Sequence, residues 1–284
     1  MKKRAVVIDS LADMPPYFET TLPVKIVHFK VYIDGKEYSD GKTISKEDYY
    51  KLATKTMNLR TSYPPPEETL NIYRELEKEG VEEVLALHLP EKMSGFWQSF
   101  RKILDEIKIK VKAFDVRSVS VGSGMVNTKM IELFEKGASF EELEKKFWDI
   151  RKRMLLQFSV SSLKFLIKNG RIGKAKGLIG TLMNILPILT VDEEGEVSPI
   201  GKVRGRKRVI DKMVKNIIDF AGGKKIELVV GWGTDEMKER AISIKEKVFE
   251  ALGNKVVKFG EIRVSPTVAS HTGPDVFGCS IYVL

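Results

Sequence analysis

The chain has 284 residues, 43% of them hydrophobic, which is enough for sizeable cores and points to two lobes rather than one ordinary domain. Its formal net charge of +9 permits anionic partners, but the charges are interspersed, as in Glu141-Glu142-Leu143-Glu144-Lys145-Lys146, which fits a solvated surface better than a nucleic-acid footprint. A single cysteine, Cys279, excludes an internal disulfide framework and fits a reducing cytosol, and three scattered histidines, His28, His88 and His271, offer no metal-ligand spacing.

Ala5–Ile8 is a short apolar strand leaving through Asp9-Ser10. It is too brief for a signal-peptide core, and no later run reaches the length of a membrane span, so a cytoplasmic protein is expected. Ile26–Ile33 alternates as a second strand, and Asp34-Gly35 turns the chain into Lys36-Glu37-Tyr38. Ser45-Lys46-Glu47-Asp48 opens a helix with capping-box logic that runs to about Lys55. Pro64-Pro65-Pro66-Glu67-Glu68 starts another, with prolines in the first turn and acids on the positive dipole end. Val84–Leu89 and Val111–Asp115 are buried strands separated by an amphipathic helix from Phe96 to Ile107. Helices are expected over Gly122–Lys136 and Phe140–Gln157, the second long enough to bridge two lobes.

The texture changes at Phe158–Ser162, which places the lobe boundary between residues 157 and 158, giving lobes of 1–157 and 158–284. A short helix, Leu163–Lys168, stops at Asn169-Gly170. Ile188–Val191 and Glu196–Ile200 form a hairpin that Lys202–Arg204 extends. Lys207–Phe220 and Asp235–Leu252 are helices flanking a strand at Glu227–Gly231, and Val256–Val264 and Ser280–Leu284 are the closing strands. The first lobe reads as α/β with a mostly parallel sheet and the second as mixed α/β. Heavy use of Lys and Glu with only two glutamines, Gln98 and Gln157, is a thermophile-like composition.

Two short segments place hydroxyls just ahead of helices: Thr61-Ser62 before Tyr63-Pro64, and Ser94-Gly95 before Phe96. Helix N-termini carry unpaired N–H groups and a positive dipole end, so each segment either caps its helix or seats an anionic headgroup. Gly95, lacking Cβ, would let a ligand oxygen approach the backbone. His271 sits in a polar loop, Ser265–Pro274, expected to be exposed and able to reach a cleft; its imidazole could hydrogen-bond a carboxylate. Arg171 follows the helix stop as either a surface cation or a guanidinium near an anion. Gly177–Leu189 is apolar and uncharged, either plain core or the lining of a hydrocarbon tunnel.

Enzyme readings find little purchase. Neither Gly122-Ser123-Gly124 nor the pairs Gly170/Gly173 and Gly177/Gly180 form a phosphate-binding motif. A Ser94–His271 hydrolase dyad oriented by Asp9 or Asp115 is the alternative reading, though Ser94 is not in a nucleophile elbow. A nucleic-acid regulator using the basic run Lys202–Arg208 is another; that run also suits anionic lipid headgroups or an acidic protein surface.

The ordered set Val7-Ile8-Asp9-Ser10 with Asp13, Thr61-Ser62, His88-Leu89 with Ser94-Gly95 and Gln98-Ser99, Leu163–Ile172, Pro187-Ile188-Leu189 and His271-Thr272-Gly273-Pro274 resembles the DegV family. The likeness spans nearly the whole chain. It departs at Tyr63-Pro64-Pro65, where the family commonly has glutamine, proline and serine, and at Pro90–Met93, where a more polar run is usual. The resemblance implies a two-lobed α/β carrier, not itself an enzyme, without metal or cofactor. It would bind one long-chain fatty acid, such as palmitate, stearate or oleate, in a tunnel between its lobes, and present it to a separate kinase that makes an acyl phosphate. By the same resemblance Thr61, Ser62, Ser94, Gly95 and His271 would hold the carboxyl group and Arg171 would lie near the site of phosphoryl transfer. Arg204 would belong to a face that docks the kinase or, transiently, an anionic membrane, and no specific nucleic-acid partner is implied.

Overall fold

The computed structural model describes residues 2–179 and 185–284. The chain opens with β1 (Arg4–Asp9) and β2 (Val24–Val27), parallel neighbours, after which β3 (Lys30–Ile33) departs to a different sheet. The single strand expected over Ile26–Ile33 is therefore broken. At the break the Phe29 N–H is taken by Ser10 Oγ, and His28 Nδ1 lies 2.7 Å from the Asp40 carbonyl, so local side-chain bonds replace the ladder. Asp34 and Gly35 both have positive φ, the hairpin turn expected of this dipeptide, and lead into β4 (Lys36–Ser39). Ser45 Oγ accepts from the Asp48 N–H to start α1 (Lys46–Ala53). Thr61 and Ser62, expected as an extended lead-in, form a true strand, β5 (Leu59–Ser62), antiparallel to β3.

After α2 (Pro66–Lys78) comes the wholly buried β6 (Glu83–His88). The next helix, α3 (Phe96–Ile103), ends four residues earlier than expected and continues as a 3-10 turn, Leu104–Glu106. β7 (Lys110–Asp115), α4 (Ser120–Glu135) and α5 (Phe140–Lys152) follow, the last with a complete Ser139/Glu142 capping box. The first sheet, β2-β1-β6-β7, is parallel throughout. The period of two along its strands divides the core: Val6, Ile8, Leu85 and Leu87 pack with α4 and α5, whereas Ala5, Val7, Val84 and Ala86 pack with α2 and α3.

The helix expected to reach Gln157 stops at Lys152, and residues 154–160 are β8 (Met154–Val160). The expected boundary at 157/158 thus falls inside a strand. A run such as Met154-Leu155-Leu156 carries no period that separates buried helix from buried strand. α6 (Lys164–Lys168) stops at Asn169-Gly170 as expected, with Gly170 at φ +68°. The chain then passes through β9 (Ile185–Val191), β10 (Val197–Arg204), α7 (Arg206–Ala221), β11 (Ile226–Trp232), α8 (Asp235–Leu252) and β12 (Val256–Arg263). The loop expected at Ser265–Pro274 contains a helix, α9 (Pro266–Thr272), and the final strand, β13 (Val276–Val283), begins four residues earlier than expected. These strands form one mixed sheet, β10-β9-β8-β13-β11-β12, in which only β11 and β12 run parallel. Of the apolar run Gly177–Leu189, residues 180–184 lie outside the described residues; Leu178 packs against the core and Ile188 and Leu189 are buried.

Helix α4 lies between the two sheets, contacting β1 and β6 on one side and β8, β11 and β13 on the other. It is buried nearly all round, and its small residues make that possible. A Cβ on Gly124 would stand 2.0 Å from the Asp13 carbonyl oxygen, and one on Gly122 would stand 2.3 Å from Ser118 Oγ. The Gly122-Ser123-Gly124 run is a packing device.

Candidate functional site

Where the ends of β5 and α9 meet the start of α3 and the loop after α6, the fold encloses a cavity of about 210 Å³. Leu11, Phe29, Leu89, Phe158, Leu166 and Val268 form apolar wall. The six residues expected to bind ligand, Thr61, Ser62, Ser94, Gly95, Arg171 and His271, all line this one space, although they are spread over 211 residue positions from the first to the last. A smaller chamber of about 30 Å³ shares Val119, Phe158, Val268 and Thr272 with it and reaches inward to Gly231 and Cys279.

The polar side chains are held by different partners. Thr61 Oγ1 and His271 Nε2 lie 2.8 Å apart in a hydrogen bond that ties β5 to α9. His271 Nδ1 is shut off from solvent and has no partner among the described residues. Burial, with help from the nearby Arg171 charge, pushes its imidazole pKa down to about 3, so the ring is neutral at pH 7. Ser62 Oγ lies 3.3 Å from the Tyr32 hydroxyl. Ser94 Oγ accepts from the Phe96 N–H at 3.2 Å, a turn of the chain one residue ahead of the α3 N-cap, which is Gly95 and carries no side-chain cap. The Arg171 guanidinium donates to the carbonyls of Met93 at 3.0 Å and Asn169 at 2.6 Å, which fixes it at the cavity's rim.

Two buried carboxylates that composition and spacing did not single out set the position of α9. Asp13 accepts from the Ser265 N–H, from Ser120 Oγ and, through its other oxygen, from Lys46 Nζ. Asp40 accepts from both the N–H and the hydroxyl of Thr267. Burial raises the Asp40 pKa to about 6 against the lowering effect of these two bonds, with Asp13 adding to the rise. Both acids come from loops of the first 40 residues and grip the first turn of a helix more than 220 positions later. Nothing local marks either as special, because what they bond is far away in sequence. Tyr63 is a second wall residue that local signals missed.

A hydrolase constellation does not assemble. Ser94 and His271 share the cavity but bond elsewhere, and no carboxylate reaches His271 Nδ1. Asp9, an expected orienter, is committed to His88 Nδ1 at 2.7 Å and to the Leu89 N–H, and Asp115 pairs with Arg117. Among the described residues no His, Cys, Asp and Glu cluster could hold a metal ion, and no helix is long and apolar enough to cross a membrane. Arg204 ends β10 as an exposed side chain without an ion-pair partner among the described residues.

Comparison with known proteins agrees with the fold. A family model described as "Uncharacterised protein, DegV family" matches residues 3–284. A DegV domain-containing protein of Caldanaerobacter subterraneus subsp. tengcongensis is 33% identical over 285 residues, covering 98% of each chain. A fatty-acid-binding DegV family protein from Thermus thermophilus superposes with a TM-score of 0.88 at 31% identity, over 99% of this chain and all of the other. DegV of Bacillus subtilis, a fatty-acid-binding protein, gives 0.87 at 25% identity, over the whole of both chains. A parallel sheet and a mixed sheet packed on a shared helix are thus the fold of a known group, and this chain belongs to the DegV family.

Proposed function

We propose that this protein carries one long-chain fatty acid in the cavity, with the carboxyl group at the Thr61–His271 end and the acyl chain along the apolar wall. The observation that carries the reading is one cavity, apolar along most of its wall, with a cluster of hydroxyl and imidazole groups gathered at one place. The fatty-acid-binding relatives of the same fold support it. Burying roughly fourteen methylenes at about 0.8 kcal/mol each contributes on the order of 11 kcal/mol before ordering costs. Neutral hydrogen bonds to the headgroup add about 1 kcal/mol apiece. The chain therefore supplies the affinity and the polar cluster supplies the orientation. Thr61, Ser62, Ser94, Gly95 and His271 would form the seat for the carboxyl group.

An acid held this firmly is best modified where it sits. We take the protein to be a carrier rather than an enzyme, one that offers the carboxylate to a separate kinase for acyl-phosphate formation. Arg171 would stand at the transfer site and Arg204 on the docking face. Native mass spectrometry of the purified protein, followed by extraction and identification of small molecules, tests the binding reading. One fatty acid per chain supports it; a clean unliganded mass with no uptake of added palmitate or oleate overturns it.

A further inference from the structure

Tyr63 stands at the rim of the cavity and is used by nothing described so far. It is 39% exposed, yet it lines the same space as Thr61, Ser94 and His271. Its hydroxyl has no hydrogen-bond partner among the described residues, although Ser62, Ser94, Thr61 and Arg171 around it are all engaged. The ring lies edge-on against Gly95: a Cβ built there would sit 3.1 Å from Tyr63 Cε1 and 3.7 Å from its hydroxyl oxygen. Pro64 follows, and the residue before a proline is held extended, so the backbone gives the ring a fixed base. Gly95 therefore leaves the ring room to lie close over this end of the cavity.

We propose that Tyr63 is the positioning residue that retains the ligand. Its ring covers the headgroup end of the cavity, and its free hydroxyl donates to the outer oxygen of the bound carboxyl group, held in its neutral form. This rests on the fatty-acid reading above. The ring would slow escape by covering the exit; the hydroxyl would add one hydrogen bond that must break before the acid leaves. A tyrosine suits both tasks, being broad and apolar with a polar tip that remains at the water boundary.

The test is the release rate of bound oleate, measured by stopped flow as transfer of a fluorescent oleate analogue from the loaded protein to excess phosphatidylcholine vesicles. Tyr63→Phe keeps the cover and loses the donor, and release should quicken roughly fivefold, the worth of one neutral hydrogen bond. Tyr63→Ala loses both, and release should quicken by about tenfold or more, since changes at a binding surface act chiefly on the off-rate. Melting temperatures of Tyr63→Phe and Tyr63→Ala should stay near that of the wild type, because the side chain is half in solvent. Release rates for both Tyr63 variants within twofold of wild type would overturn the proposal while leaving the carrier reading intact. A wild-type protein that takes up no oleate would overturn both.

Discussion

Replacing Thr61 with valine removes one hydroxyl and keeps the shape, and the structure says what that should cost. Thr61 lies in a strand, where a β-branched side chain is at home, so the backbone has no reason to move. The hydroxyl is the partner of His271 Nε2 at 2.8 Å, and Nδ1 already has none. In the unloaded variant both ring nitrogens would be unsatisfied in a buried place. The penalty is the lost bond plus the desolvation of the orphaned nitrogen, about 2 kcal/mol, or a fall in Tm of roughly 5 °C for a chain of this size. A bound carboxyl group changes the sum, because its oxygen can take the place of Thr61 Oγ1 against the imidazole. In the loaded protein the penalty should shrink to about 1 kcal/mol. The assay is differential scanning calorimetry of delipidated and oleate-loaded samples, wild type and Thr61→Val side by side. Equal falls in Tm with and without oleate would refute the reasoning, since the headgroup would then not reach His271.

Four more outcomes follow from the same geometry. Asp40 has a folded pKa raised to about 6, so its contribution is fully present below its unfolded value and is lost as pH rises through 6. Asp40→Asn, which keeps an acceptor for Thr267 and removes the buried charge, should therefore stabilise the protein at pH 7 by up to roughly 3 kcal/mol, an advantage that chemical denaturation should show vanishing near pH 4. His271 has the opposite sign: its pKa is depressed to about 3, so its contribution is present above about 6.5 and is lost as pH falls from there toward 3. Gly124→Ala, which on an exposed helix would gain about 1 kcal/mol, should here lose roughly 2–4 kcal/mol in urea unfolding, because the new methyl meets backbone at Asp13. If a kinase docks as proposed above, Arg204→Glu should leave fatty-acid content unchanged by mass spectrometry while slowing phosphorylation of the bound acid; lost lipid would instead place Arg204 in the cavity wall.

How much of this was legible from the sequence depends on how far the deciding partner lies along the chain. Ser45, Asp34-Gly35 and the Asn169-Gly170 stop act on residues a few positions away, and each does locally what its chemistry requires. The errors came where a distant partner decides. Met154–Val160 is buried on both faces because α4 covers one side and α7 the other, and its leading Met154-Leu155-Leu156 reads equally as the end of a helix. Ser265–Pro274 looked like an exposed loop because its residues are small and polar, yet their buried groups are met by Asp13, Asp40 and Tyr49 from the first 50 positions. The six candidate site residues were reached through their order along the chain as a family pattern. Local spacing could suggest a helix cap or an anion seat at each, but not that the six line one cavity.

The strand order has a consequence for how the protein comes into being. β13 is inserted between β8 and β11, so residues 276–283 hold together two parts of the sheet that are otherwise unpaired with each other. α9, which brings His271 to the cavity, immediately precedes it. During synthesis the hydrophobic edges of β8 and β11 must wait, exposed, until this stretch has left the ribosome, which is the kind of late, long-range closure that folds slowly and invites aggregation. A nascent chain stalled before it would have a nearly complete first sheet and no binding cavity at all. Acquisition of a lipid would then have to await this stretch, and His271, the last of the six candidate residues to be made, would mark the moment from which the site can be filled.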